Sequence, residues 1–400
     1  MPIQQQLSSL IQVDRRRWLL LAAAVAAGLR TSPAWAEGEW EMTAESHRAL
    51  ERGLQWLQRN QGDAGNWESN DLGLVGMGAL AFMAAGHSPG RGRYGETVAK
   101  ALDYIVNNAK PSGLLNESHS QRDMYNHGLA TFVLGQAHGM TTTRDKRLSQ
   151  VLERALQLIA ATQCEDGGWD YRAARQKNGH DLSLAVMQAK ALRSAMDSGL
   201  EVSPEVIELA IQSVREHYSP QSGRRDLPES QLRQLPGQFT YSRGGGGASI
   251  AMAACGVVCL QEFGQYDDWR IGKSMQVVLD AVQGVSRMQQ GGRQRSRVGS
   301  LPFDAYTLYY VGQALYQVGG QSWENSYPVL RDYLVEWQKE EDGVGWWMDR
   351  GGNGGGRVGG KPGELYGTAV ACFILAIPNR FLPILQEGKI ESLRQQFATE

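Results

Sequence analysis

One loop recurs three times between helical stretches of this chain, and that recurrence constrains the fold more than any other feature. Arg52-Gly53-Leu54-Gln55-Trp56-Leu57-Gln58-Arg59-Asn60-Gln61 runs into Gly62-Asp63-Ala64-Gly65-Asn66-Trp67. Ala155-Leu156-Gln157-Leu158-Ile159 runs into Gln163-Cys164-Glu165-Asp166-Gly167-Gly168-Trp169. Tyr333-Leu334-Val335-Glu336-Trp337-Gln338 runs into Asp342-Gly343-Val344-Gly345-Trp346. A fixed loop between helices marks a repeat architecture, in which each unit buries its apolar face only against its neighbours.

The hydrophobic period supports that reading. Leu152, Ala155, Leu156 and Ile159 fall at i, i+3, i+4 and i+7 beside polar Glu153 and Arg154, the stripe of a helix with one solvent face. Leu72 to Ala85 and Ala248 to Leu260 are apolar or small nearly all round, as in helices covered on every side. Outer helices are expected over 43–59, 95–108, 146–162, 203–217, 270–289 and 323–338. Inner helices are expected over 71–86, 123–139, 180–198, 247–263, 303–318 and 364–376. Six outer–inner hairpins predict an all-α fold, an α/α toroid, filling residues 37–400 as one domain. In the repeated loops, Asp-Gly gives a tight turn. The Trp covers the end of the hairpin and needs an acceptor for its indole N–H. Trp169 has a second reading as a wall for a ligand.

Residues 1–36 read as an export signal. Asp14-Arg15-Arg16-Arg17-Trp18 sets an arginine pair before an apolar run that is short for a bilayer span, and Ala34-Trp35-Ala36 offers small residues for cleavage. The expected location is therefore periplasmic or extracellular. Without Arg15, Arg16, Arg17, Arg30 and Asp14, the 40 basic and 42 acidic residues become 36 and 41, a formal charge of −5. No basic block remains, which argues against nucleic acid as a partner. Contact with a membrane surface stays open. Cys255 and Cys259 lie four apart in an apolar segment and read as buried small hydrophobes. No Cys-x-x-Cys or His-Glu-x-x-His pattern occurs, so neither metal nor cofactor is expected.

Candidate chemistry gathers at the helix starts. Asp71, Asp123, Asp181, Asp304 and Glu364 each open an inner helix, where a carboxylate caps free N–H groups. In a toroid of hairpins these starts share one mouth, so the same residues would ring an opening. Asp181 and Asp304 are candidate catalytic residues there, Asp304 as an acid raised by burial. His127 joins them, four residues after Asp123 on one helical face. Tyr125, Tyr241, Tyr306 and Tyr366 are candidate binding residues. His180 precedes Asp181.

The Gln/Trp loops resemble those of the terpenoid (squalene/hopene) cyclases and the β subunits of protein prenyltransferases, over most of residues 43–386. That resemblance implies an α/α toroid around an aromatic cavity for an isoprenoid chain. Cyclases that protonate an alkene carry an Asp-x-Asp-Asp cluster. Here the only adjacent aspartates are Asp267-Asp268, after an inner helix and hence at the opposite mouth. The prenyltransferase zinc site is similar to an Asp-x-Cys at one inner helix start and a His after Tyr at the next. Here those places read Asp304-Ala305-Tyr306 and Tyr366-Gly367-Thr368. One carboxylate does not make a zinc site that needs about four ligands.

Three functions follow from these residues. The first is an exported toroid that binds or transforms an isoprenoid or other lipid, as an enzyme of cyclase or transferase type or as a carrier. The second is a noncatalytic binding or scaffold domain. The third is a carbohydrate-active toroid with carboxylates as acid and base.

Overall fold

The computed structural model describes residues 40–141, 145–290, 303–349 and 362–386. The export signal expected over 1–36, most of the polar loop Gln290–Ser300 and the glycine-rich stretch Gly351–Gly360 lie outside the described residues. The chain divides into two compact units, Met1–Glu41 and Met42–Glu400.

The second unit is an α/α toroid. Its outer helices are α1 (Ala44–Arg59), α3 (Gly95–Asn107), α5 (Lys146–Thr162), α7 (Pro204–Glu216), α10 (Trp269–Gln290) and α12 (Gly320–Trp337). Its inner helices are α2 (Leu72–Ala84), α4 (Asp123–Met140), α6 (Leu182–Asp197), α9 (Ile250–Glu262), α11 (Ala305–Val318) and α13 (Pro362–Ala376). A single turn, α8 (Glu229–Leu232), sits in the long connection between α7 and α9. The inner helices close a ring: α2 packs on α4, α4 on α6, α6 on α9, α9 on α11, α11 on α13, and α13 back on α2. Burial follows the two sequence patterns. Every residue of α2 is buried, whereas α1 buries the stripe Ala49, Leu50, Gly53, Leu54 and Leu57.

The repeated loops are the joints of this ring. Trp67 Nε1 donates to Leu57 O at 2.7 Å, and Trp169 Nε1 donates to Ile159 O at 2.9 Å. Each indole thus satisfies a carbonyl near the end of the preceding outer helix, which the helix itself leaves open. The glutamines reach further. Gln61 Nε2 donates to Thr97 O of α3 at 2.7 Å, and Gln163 Nε2 donates to Val206 O of α7 at 2.9 Å. In both cases the acceptor belongs to the next outer helix.

The third loop makes the same contacts with different residues from those expected. Trp347, not Trp346, is the staple: it is buried and its Nε1 donates to Leu334 O at 2.7 Å. Gln163 precedes Trp169 by six residues, but Gln338 precedes Trp347 by nine. The added length forms a hairpin of β3 (Lys339–Glu341) and β4 (Val344–Trp346), turned at Asp342 and Gly343, both with positive φ. Gln338 Nε2 donates to Ala49 O of α1 at 2.7 Å, and Arg52 Nε returns a bond to Gln338 Oε1 at 2.9 Å. The last repeat is thereby tied to the first. A second antiparallel pair, β1 (Tyr218–Pro220) with β2 (Gly237–Phe239), lies between α7 and α9.

Glycines set how closely the loops approach. Gly65, Gly113 and Gly167 all have positive φ, and a Cβ on each would lie 2.6, 2.5 and 2.1 Å from Lys100 O, Arg154 O and Leu209 O. Those carbonyls belong to α3, α5 and α7, so each loop rests on the backbone of the next outer helix. Gly113 reveals a second-hairpin loop of the same geometry without the Gln/Trp residues.

Gln163, buried like Gln61, tests the joint. Gln163→Ala removes two buried amide hydrogen bonds, to Val206 O and Gly167 O, worth about 1–3 kcal/mol together. Urea unfolding should show that loss. Glu340→Gln, at the exposed Arg52 pair, should cost under about 0.5 kcal/mol. Equal effects would contradict the joint.

Candidate functional site

The mouth where the inner helices begin carries a network centred on Asp181. Asp181 is the N-cap of α6, 3% exposed. Its Oδ1 accepts from Ser183 N at 2.9 Å and Leu184 N at 3.3 Å, and from the Ser183 hydroxyl. Its Oδ2 accepts from Tyr171 OH at 2.6 Å and meets His180 Nδ1 at 2.9 Å. One oxygen thus caps the helix and takes the Ser183 hydroxyl, while the other meets Tyr171 and His180.

Tyrosines extend the network across the opening. Tyr171 OH hydrogen-bonds Tyr241 OH, and Tyr125 OH hydrogen-bonds Ser183 Oγ. The Tyr125 and Tyr171 rings stack 5.8 Å apart. Burial and then the Asp181 charge raise the Tyr125 and Tyr171 phenols well above the usual range. Burial, aided by the bond to Asp181, pushes Tyr241 up to about 12. These hydroxyls therefore stay protonated and act as donors.

From the far side come Tyr306 and Tyr310 of α11 and Tyr366 of α13. The Tyr306 and Tyr310 rings meet edge to face at 4.9 Å, and Tyr306 OH lies 3.6 Å from Cys255 Sγ of α9. Burial drives all three phenols up, and the proximity of Tyr125 adds to the rise in each. Side chains of α4, α9, α11 and α13 thus converge on one space. Asp304 caps α11 through Thr307 N at 2.8 Å and is half-buried. Asp349 Oδ1 accepts from Ala305 N at 3.2 Å, and both carboxylates act on Tyr366. The carboxyl that burial does lift is Asp71 of α2, although Arg122 and Leu74 N–H pull it down.

Two expected site residues are committed elsewhere. Trp169 is the second staple, 1% exposed. His127 is fully buried, with Nδ1 accepting from Leu115 N at 3.1 Å and Nε2 bonded to Ala155 O at 3.0 Å. A carbonyl acceptor requires the proton on Nε2, so neither nitrogen remains as a base. His127 ties the second loop to α5 and so does there what Gln61 and Gln163 do in their repeats.

Tyr171 and Ser183 entered the site without being singled out in the sequence. Tyr171 lies two residues beyond the Trp169 staple, on the segment leading to the mouth, and that position was the available signal. His180 lies beside Asp181. Its side chain is half exposed, and among the described residues no partner meets its Nε2.

The prenyltransferase zinc pattern fails sterically as well as by residue type. A Cβ at Gly367 would lie 2.6 Å from Trp347 O, leaving no room for a histidine. The Asp267-Asp268 pair sits beyond α9, beside a polar cleft of about 530 Å³ lined in part by Arg215, Glu229, Arg233 and Trp269. Asp268 is engaged by Arg215 at 2.8 Å and Arg270 at 3.0 Å. Burial opposes ionisation of Asp268, yet the Arg270 N–H and the two guanidinium groups hold its carboxyl below the usual range.

No family model matches the chain. Over 155 residues, 39% of the chain, it is 28% identical to a drimenyl diphosphate synthase of Streptomyces showdoensis, and the match spans 27% of that protein. The chain thus covers about a quarter of that curated relative. Among solved structures, an inactive Asp-to-Asn variant of an α-1,6-mannanase of Salegentibacter sp. HEL1_6, bound to α-1,6-mannotriose, superposes with a TM-score of 0.50 at 8% identity. That likeness covers 87% of this chain and 100% of the mannanase, and it is a likeness of fold. The chain is an α/α toroid compatible with the terpenoid-cyclase type.

His127 gives a test in acid. Burial, only partly offset by the Ala155 bond, holds its imidazole down at about 4, and burial together with the Arg243 charge does the same for His217. Unfolded histidine takes a proton near pH 6.5. The folded state is thus fully favoured above about pH 6.5 and loses stability as the pH falls toward 4, by about 1.4 kcal/mol per pH unit for each group. Urea unfolding at pH 7 and pH 5 should show the loss, and His127→Gln should remove about half of it. A His127 ring resonance titrating near pH 6.5 would contradict this assignment.

Proposed function

We propose that the toroid binds the apolar end of an isoprenoid or other lipid in the tyrosine-lined mouth. The observation that carries this reading is the convergence of Tyr125, Tyr306, Tyr310 and Tyr366 from three inner helices. Protonated phenol rings offer large apolar area, and their faces attract positive charge. Deeper in, the neighbouring groups are Cys255 and Met187, soft and apolar. The partial match to a terpene synthase supports an isoprenoid over other lipids.

The mouth also supplies a base. His180 Nδ1 lies 2.9 Å from Asp181 Oδ2, the arrangement by which a carboxylate orients a catalytic imidazole. Tyr171 and Tyr241 stand beside it as donors. A transformation at this mouth would use His180 as proton acceptor, with the phenols holding the ligand by hydrogen bonds. Asp181 would be the positioning residue rather than the acid. Export to the periplasm or cell exterior belongs to the same proposal, with a lipid met at a membrane surface.

Equilibrium binding of tritiated farnesol tests the reading. The expected result is saturable binding, weakened at least about tenfold by Tyr125→Ser, a loss on the order of 1.4 kcal/mol. Trp269→Ala, in the cleft beyond α9, should leave it unchanged. Absence of saturable farnesol binding together with saturable mannotriose binding would replace the lipid reading with the carbohydrate one.

A further inference from the structure

Side chains cross the interior of the ring of inner helices a short way below the mouth. In the ring, α6 and α11 are separated by α9. Their side chains nevertheless touch. Tyr310 OH of α11 lies 3.3 Å from Met187 Sδ of α6. One turn deeper, Lys190 Nζ of α6 hydrogen-bonds Gln313 Oε1 of α11 and lies 3.2 Å from Glu262 Oε1 of α9. Lys190 also sits over the Phe132 ring of α4, 4.4 Å from its centroid. Contacts between helices that are not neighbours must cross the interior.

Burial marks the same level. Tyr125 and Tyr306, in the first turns of α4 and α11, are half-buried and keep accessible surface. Tyr310 is 0% exposed, Lys190 1% and Gln313 3%. An open shaft running past these residues would leave them surface.

Met187 is the sixth residue of α6 and Tyr310 the sixth of α11. Five steps of 1.5 Å place both about 8 Å below the helix starts. Lys190 and Gln313 both lie about 12 Å down. The two helices therefore give the same depth independently.

The geometry assigns Tyr310 and Met187 as the floor of a shallow cup, braced from below by Lys190, Glu262 and Gln313, that admits only the terminal one or two isoprene units of a ligand. Extended chains advance roughly 1.2 Å per bond, so about 8 Å takes on the order of seven bonds. The rest of a longer ligand stays outside, beside His180 and Tyr241. Specificity is then set by the shape of the ligand's end rather than by its full length. This rests on the lipid reading of the mouth, and the test separates the two.

The experiment is equilibrium binding of geraniol, farnesol and geranylgeraniol to the full chain and to Met187→Ala. Wild-type affinity should change less than about threefold from geraniol to geranylgeraniol, because the added units bury little. Met187→Ala lowers the floor and should make farnesol at least fivefold tighter than geraniol. Affinity that climbs about tenfold with every unit in the wild type would overturn the cup, whatever the variant does. So would a folded variant with the wild-type length profile. Failure of all three alcohols to bind would instead overturn the lipid reading, and the cup as a ligand site with it.

Discussion

One hydrogen bond recurs where neighbouring hairpins of the toroid meet: a side-chain N–H from one hairpin given to a backbone carbonyl of the next outer helix. Gln61, Gln163 and Gln338 make it to Thr97, Val206 and Ala49. A hairpin cannot bury an inner helix such as α2 by itself, since all sides of that helix are apolar. The neighbours have to be held at a fixed distance, and at three junctions the glutamine bridges help to hold it. The bridge from Gln338 to Ala49 differs in one respect, because it joins the last repeat to the first. Arg52 reinforces it through both Gln338 and Glu340. Gly53 brings α1 against α13 there: a Cβ on it would lie 2.4 Å from Cys372 Sγ and 2.9 Å from Trp347.

The helices were legible because two hydrophobic patterns alternate along the chain. One-sided stripes such as Leu152 to Ile159 became outer helices, and segments such as Leu72 to Ala84 became inner ones. The loop chemistry was legible for the first two repeats. It misled in the third, where a β-hairpin adds three residues and transfers the staple from Trp346 to Trp347. Sequence spacing cannot distinguish two adjacent tryptophans when the turn between Gln and Trp changes length.

The site was only partly legible. Inner helix starts do collect carboxylates and tyrosines, as the topology required. Which of them face one another depends on side-chain direction, which the sequence does not carry. His127 shares a helical face with Asp123, yet it points outward to the α5 backbone and serves the ring. Tyr171 reaches Asp181 from a loop that the sequence offered only as a structural joint. Asp181 shows why the capping and functional readings were hard to separate. A carboxylate has two oxygens, and this one spends them on different tasks. The contacts inside the ring come from residues that look unremarkable in sequence, Met187 and Lys190 on α6 and Gln313 on α11.

The account places ligand binding at the mouth of the inner helix starts and nowhere else on the toroid. Photolabelling with a diazirine-bearing geranyl analogue, mapped by peptide mass spectrometry, tests that placement most directly. The account predicts adducts on Tyr125, Tyr306, Tyr310 or Met187, suppressed by excess geraniol. Competed adducts confined to the outer helices, or to the Trp269 cleft beyond α9, would contradict it.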